Sequence, residues 1–496
     1  MQRFSRTATR RSALMAVAAT VLLAVSIFPA RALADENTDA MAYSEDAAGS
    51  RTYYTSVDEA MSAGYGGAVI YLNRDWQLSG SLVVEGGKTI SLSMNGHKIV
   101  GDGKSTVIDE KEHANLTLMS DTSAQLSYTG YGADGNAGDC TLTSGGLVTG
   151  GHGGDSGGGI AMGNHSNLTL SNVAVAGNYS TCGGGVKVGE GCTLAMKQKA
   201  TITHNRAAGG GGGVILSGKK TDERGVITMD DSSINENVAT SGGGVRSDAD
   251  GTDIRMENNS TISDNKASCI GGGVFFAYTH FNIESADRTG SVSGNQSAST
   301  SGGAGGIYVE DVSMQTHHGT ITGLSIKDNH ASGDGGGVLI YQNYTYVTDC
   351  TLTGNSADKD AGGVGVVSNN CAITSSTITG NYCNGNGTYY EGGGVHVNQN
   401  YDLTLSGKCT ITDNTRGKGG SADNVFLANS CGSQAYILGG VDEGSQVGIR
   451  TGNTDDSQMI GKNISTYTEG TYSMDLPAYR LTHGTDHNGD LWQRKA

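Results

Sequence analysis

The sequence predicts an all-β chain wound as a right-handed parallel β-helix solenoid, with three strands per coil and an N-terminal helical cap. Three observations predict it. Glycine takes 80 of 496 positions and proline only 2, so the chain turns often without proline's fixed stops. An asparagine recurs at Asn178, Asn205, Asn237, Asn265, Asn295, Asn329, Asn355, Asn381 and Asn414, in steps of 27, 32, 28, 30, 34, 26, 26 and 33 residues. Three residues before each stands an aliphatic side chain: Val175, Ile202, Ile234, Ile262, Val292, Ile326, Leu352, Ile378 and Ile411. A marked unit of variable length is what a solenoid shows when only its loops vary. Collagen is excluded because glycine has no three-residue period, and a coiled coil because the Ala/Glu/Lys/Leu/Arg excess is missing. A 36% hydrophobic content argues against charge-driven disorder.

The elements follow in chain order. Residues 1–34 read as an export signal: a basic start with Arg3, Arg6, Arg10 and Arg11, an apolar run from Ala13 to Phe28, and the small-residue site Ala32-Leu33-Ala34. The paired Arg10 and Arg11 fit a twin-arginine route. Residues 35–52 read as a linker. Losing the signal removes five arginines and no acid, which leaves 27 basic against 49 acidic residues, a net of −22. Such a chain repels phosphate backbones and anionic lipid, so nucleic acid and membrane insertion are not expected. Neutral glycans, cations and basic protein surfaces remain as partners, and a monomer is expected.

The parallel β-helix with its cap is placed at 53–431. Ser56-Val57-Asp58-Glu59 is a capping box that opens a short helix through about Ala63, where a lid over the first coil belongs. Each later unit holds short strands of period 2, as in Val186-Lys187-Val188, Thr193-Leu194-Ala195-Met196 and Thr201-Ile202-Thr203. If equivalent strands pair in parallel about 4.8 Å apart, the aliphatic column stacks inside and the asparagines form a ladder of amides. Glycine clusters at 183–185, 242–244 and 335–337 supply the sharp turn that follows. Residues 432–496 read as remnants of coil and a C-terminal cap.

The asparagine ladder, the aliphatic column and the GGGV or GGGI strand openings resemble the right-handed parallel β-helix repeat proteins of bacterial surfaces, similar to the pectate-lyase-like superfamily. Gly87-Lys88-Thr89-Ile90 followed by Met94-Asn95-Gly96-His97 is similar to that family's opening. The resemblance implies a fold more than an activity, because the family holds lyases, hydrolases and adhesins.

Stacked coils turn offsets into surface columns. Four residues before each strand-opening position stand Ser156, Cys182, Gly210, Ser241, Ile270, Gly303, Asp334, Asp360 and Glu391. Three carboxylates therefore fall on consecutive turns, about 5 and 10 Å apart, near the separations of retaining and inverting glycosidases. Asp334, Asp360 and Glu391 are candidate catalytic acids and candidate Ca²⁺ ligands. Lys359 is a candidate base for a lyase, and His396 an acid or sugar contact. The plainer alternative is a set of ordinary loop acids.

A second outward column runs Lys187, Ile215, Arg246, Phe275, Tyr308, Leu339, Gly365 and His396, with Tyr278 and Tyr341 close by. Exposed rings stack on sugar faces, which makes Phe275, Tyr278, Tyr308, Tyr341 and Arg246 candidate substrate contacts; ordinary packing is the alternative. His317 and His318 with Glu310 and Asp311 form a polar cluster without a ligand spacing. Outward pairs such as Thr201/Thr203, Thr351/Thr353 and Thr377/Thr379 resemble ice-binding arrays, interrupted by Asn235 and Lys327. Gly150-Gly151-His152-Gly153-Gly154-Asp155 is a single copy of a calcium-binding nonapeptide start, which needs tandem copies. Gly151-His152-Gly153 and Asn453-Thr454-Asp455 are polygalacturonase-like fragments in the reverse order. Nine cysteines match no zinc spacing, and for most of them a buried unreactive thiol is expected. The first functional reading is a secreted or cell-surface, adhesin-like protein that binds glycans or a host or cell-surface partner. The alternative is a polysaccharide lyase or glycoside hydrolase using the stacked carboxylates, with ice binding a minor third.

Overall fold

The structure, a computed structural model, describes residues 39–129, 140–219, 222–311, 317–384, 391–428, 435–452, 457–462, 464, 471–483 and 490–496. The expected export signal, Cys431 and Asn453-Thr454-Asp455 lie outside them. From Ala40 onward the chain is an all-β parallel solenoid of about 12 turns. One turn carries Val173–Ala176, Tyr179–Cys182, Val186–Val188 and Thr193–Lys197; the next carries Thr201–Thr203, Arg206–Gly210, Val214–Gly218 and Gly225–Asp230. Each segment pairs in parallel with its equivalent, so Val175 meets Ile202, Val186 meets Val214 and Leu194 meets Ile227. A turn therefore has four strand segments, one more than the sequence suggests. The extra one follows each ladder asparagine. It buries mainly one small residue two places after the asparagine, such as Ser180, Ala207, Ala239 or Ala267, so it shows no strong apolar alternation and reads as loop.

The core is one continuous cluster of mainly aliphatic side chains, several files wide, running from Ala42 to Leu491. Val175, Ile202, Ile234, Ile262, Val292, Ile326, Leu352, Ile378 and Ile411 are all fully buried, in the expected column. Beside it every marker asparagine is fully buried too. Asn205 shows the pattern: its Nδ2 donates to Asn237 Oδ1 at 3.1 Å and to Val175 O at 2.8 Å, while its own N–H also donates to Asn237 Oδ1 at 3.0 Å. Each amide thus serves the turn on either side, which is how a buried polar group avoids a desolvation penalty. The ladder begins where Gly151 N–H donates to Asn178 Oδ1, in the Gly150–Asp155 segment. It runs past Asn414 to a tenth member, Asn424, whose N–H and Nδ2 donate to the Asp475 carboxylate at 2.7 and 2.8 Å.

The glycine clusters are required by close approach. A Cβ on Gly243 would stand 2.5 Å from Gly272 O and 2.6 Å from Lys266 O, and Gly242 holds φ +60, a left-handed conformation.

Helix α1 (Val57–Tyr65) has Ser56 as N-cap, accepting from Glu59 N–H, while Glu59 reaches back to Thr55. A Cβ at Gly64 would lie 2.6 Å from Ile90 Cδ1, so the helix lies close against the strand Thr89–Ser93. Part of the stretch read as linker is strand: Ala42–Glu45 pairs antiparallel with both Arg51–Tyr54 and Val69–Leu72. At the other end parallel pairing continues to Tyr472–Met474. Leu491–Lys495 then runs antiparallel to Ser457–Lys462 and to Tyr479–His483. No described helix is long and apolar enough to cross a membrane.

Candidate functional site

Asp334, Asp360 and Glu391 do lie on consecutive turns, because each precedes a turn whose amides bond to the next. Asp334 Oδ1 accepts from Asp360 N–H at 3.2 Å, and Asp360 Oδ1 accepts from Glu391 N–H at 2.7 Å. Gly392 N–H then donates to Asp423 Oδ2 at 2.7 Å. Asp334 and Asp360 each accept from a backbone amide of the following turn and Asp423 from one of the preceding turn, while the Glu391 carboxylate faces arginines. Among the described residues no group of three or more His, Cys, Asp or Glu side chains is arranged to hold a metal ion. Of the three expected Ca²⁺ ligands, Asp334 and Asp360 each give one oxygen to a backbone N–H along the axis, and Glu391 gives its carboxylate to arginines.

Glu391 is buried in an ion pair with Arg450 and lies 3.4 Å from Arg416 Nη1; Arg450 Nη1 is also 3.3 Å from Asp423 Oδ2. Two guanidinium groups neutralise it, so it anchors structure and is a poor acid or nucleophile. Burial pushes Asp423 up to about 6, against the pull of Arg450. Asp360 is also raised by burial, with His396 opposing the shift. His396 Nδ1 lies 3.1 Å from Glu391 O and 3.8 Å from Asp360 Oδ1, and its ring packs 5.4 Å from Phe426. The geometry therefore brings Asp334, Asp360 and His396 together. Lys359 is half-buried, and its N–H donates to Gly333 O at 3.1 Å.

The second outward column is continuous in the structure, with Arg246, Phe275, Tyr308, Leu339, Gly365, His396, Phe426 and Arg450 in register. Its rings are not an open platform. Phe275 is 3% exposed and Tyr308 7%, packed with Ala277, Ala304, Leu339 and Ile270 in a small satellite core. Rings stacked at the turn spacing cover one another: Phe275 and Tyr308 lie 5.3 Å apart, Tyr308 and Tyr341 5.8 Å. Arg246 lies over the Phe275 ring at 5.3 Å, its Nε 2.8 Å from Asp248 Oδ1 and its Nη1 donating to Ser241 Oγ. Tyr278, 43% exposed, and half-buried Tyr341 are the rings that reach solvent.

Glu310 joins this site and was not among the sequence's contacts for it. It pairs in register with Tyr341 and stands two residues after Tyr308, a period-2 signal readable from the sequence. Burial raises its carboxyl, against Arg246. A methyl added at Gly302 would stand 3.8 Å from both Asp334 Oδ2 and Tyr341 Oη, which places these two groups against one wall. Neighbouring Asp311 faces elsewhere, 2.7 Å from His317 Nδ1, with His280 stacked edge-on to His317 at 4.8 Å. The Thr and Ser pairs form two files flanking the buried aliphatics, with Asn235 and Lys327 in one of them. The hairpin of Gln125–Tyr128 and Cys140–Ser144 packs on Leu147, Ala174 and Ala176 at the start of those files. Cys192, Cys350, Cys371 and Cys409 are buried free thiols, and burial pushes Cys350 up to about 11.

The chain so described is a parallel β-solenoid with a carboxylate and tyrosine strip on one outward face. No protein-family model, curated protein sequence or solved structure matches it.

Proposed function

We propose that the chain is an exported, surface-associated, right-handed β-helix that binds a glycan or cell-surface partner along the strip of Tyr278, Tyr341, Glu310, Asp334 and Arg246. Right-handed winding is the rule for parallel strands joined by crossovers, and α1 suits a lid on the first coil. The basic and apolar first 34 residues support export, and the strand openings support kinship with pectate-lyase-like proteins. The observation that carries the binding role is the strip itself: tyrosine hydroxyls and carboxylates lie side by side on a rigid face, where hydroxyl-rich ligands are held by ring contact and by oxygen acceptors. Tyr278→Ala combined with Tyr341→Ala should weaken binding on a glycan array at least tenfold; an unchanged signal would discard the strip.

A second reading, a polysaccharide lyase or glycoside hydrolase, is favoured by one arrangement: the partly desolvated Asp360 between Asp334 and His396. Asp360→Asn should then abolish release of sugar or of unsaturated product from a polysaccharide panel. Turnover that survives the change would remove Asp360 from the chemistry.

A further inference from the structure

Resting on that binding reading, we infer that the ligand of the strip is a polymer of amino sugars, recognised through its protonated amines. Charge accounting leads there. Among the described residues neither Glu310 nor Asp334 has an ion-pair partner, whereas Glu391 and Asp423 share Arg450 and Arg246 is held by Asp248. The strip thus keeps two carboxylates outside any described salt bridge, Glu310 felt by Arg246 only at longer range and Asp334 giving one oxygen to Asp360 N–H, on a wall with tyrosines. Tyr308 adds an independent observation. It is 7% exposed, its hydroxyl makes no hydrogen bond to the protein, and the groups that act on it electrostatically are Glu310, Tyr341, Tyr278 and Asp334. The ring is buried and the hydroxyl opens toward these same acids and rings, so a ligand group is the natural occupant of the space it faces.

The ligand chemistry follows from these groups. A polyuronate is repelled by the two carboxylates and by the net −22 of the chain without its first 34 residues. A neutral polysaccharide leaves both half-buried carboxylates without a counter-charge in contact. An ammonium group satisfies them, and aromatic faces such as Tyr278 attract cations. A sugar chain fits better than a lysine-rich peptide because neighbouring strands set Glu310 beside Tyr341 at about 4.8 Å, close to the length of one pyranose unit, and offer phenols for ring hydroxyls.

The test uses the full chain, titrated with a glucosamine oligomer and with an N-acetylglucosamine oligomer of equal length, at a pH that keeps the amines protonated. The glucosamine oligomer should bind at least tenfold more tightly. Glu310→Gln combined with Asp334→Asn should erase that preference, since Asn keeps the acceptor that Asp360 N–H needs. Asp264→Asn with Asp328→Asn, exposed acids on a different file, makes the same charge change and should leave the preference intact. Equal binding of both oligomers would overturn the amine inference and spare the glycan reading; binding of neither would overturn both. If the two double variants weaken binding alike, or a lysine oligomer binds more tightly than the glucosamine oligomer, the inference fails.

Discussion

Asn265 contributes more to stability than any exposed side chain can. Its Oδ1 accepts from both the N–H and the Nδ2 of Asn237, and its Nδ2 donates to Asn295 Oδ1 and to Ile234 O. Asn265→Ala takes the acceptor from two buried N–H groups of Asn237 and a donor from both Ile234 O and Asn295 Oδ1, a loss of about 2–4 kcal/mol. Denaturant unfolding should show it, with hydrogen-exchange protection lost in the adjoining turns first. Glu110 makes the opposite case. It is 1% exposed, neither carboxyl oxygen has a hydrogen-bond partner, and burial pushes its pKa well up. The folded state therefore holds a proton that the unfolded chain releases in the ordinary carboxylate range. Its stabilising share is complete below that range and is lost as pH rises through the folded value. Glu110→Gln should flatten this slope, so that the variant melts higher than the parent at pH 8 and the gap closes by pH 4; an equal gap at both would refute the assignment.

At the scale of an element, the glycine turn is the least tolerant part of the coil. Gly243→Ala drives a methyl into two carbonyl oxygens of the next turn. Gly380, at φ +66 with nothing within 4 Å of an added Cβ, meets only the left-handed penalty. Gly380→Ala should cost about 1–2 kcal/mol, and Gly243→Ala more than 3, or the loss of folded protein, read from urea midpoints. The elements that were readable in the sequence are those whose physics is local or strictly periodic. The aliphatic column, the asparagine file and the N-cap of α1 are of that kind. The segment after each asparagine was not, because its main buried file is made of small Ser, Ala and Cys side chains such as Ser180, Ala207 and Cys383, which give no hydrophobic signal. The burial of Phe275 and Tyr308 was also invisible, since outward alternation says which way a ring leaves the strand and nothing about what covers it. The neutralisation of Glu391 by Arg450 joins residues 59 apart, beyond any local offset. Glu310, by contrast, was in plain view two places after Tyr308.

Across the whole molecule, stability is a chain of nearest-neighbour contacts, and such a chain is weakest at its ends. Antiparallel strands cover both ends, and Asp475 closes the asparagine file by accepting from Asn424. Asp475→Ala should leave two donors of Asn424 unmet and fray the coil inward from that side. Hydrogen exchange should then lose protection around Asn424 and Asn414 while the turns near Asn205 keep theirs. Uniform loss would contradict a nearest-neighbour coil. The steps between ladder asparagines vary from 26 to 34 residues, yet every step lifts the chain by one strand spacing. Altitude on this molecule is consequently counted in floors and not in residues. A loop may lengthen sideways without raising or lowering any group above it, so the chain can vary its balconies while its ruler stays the same.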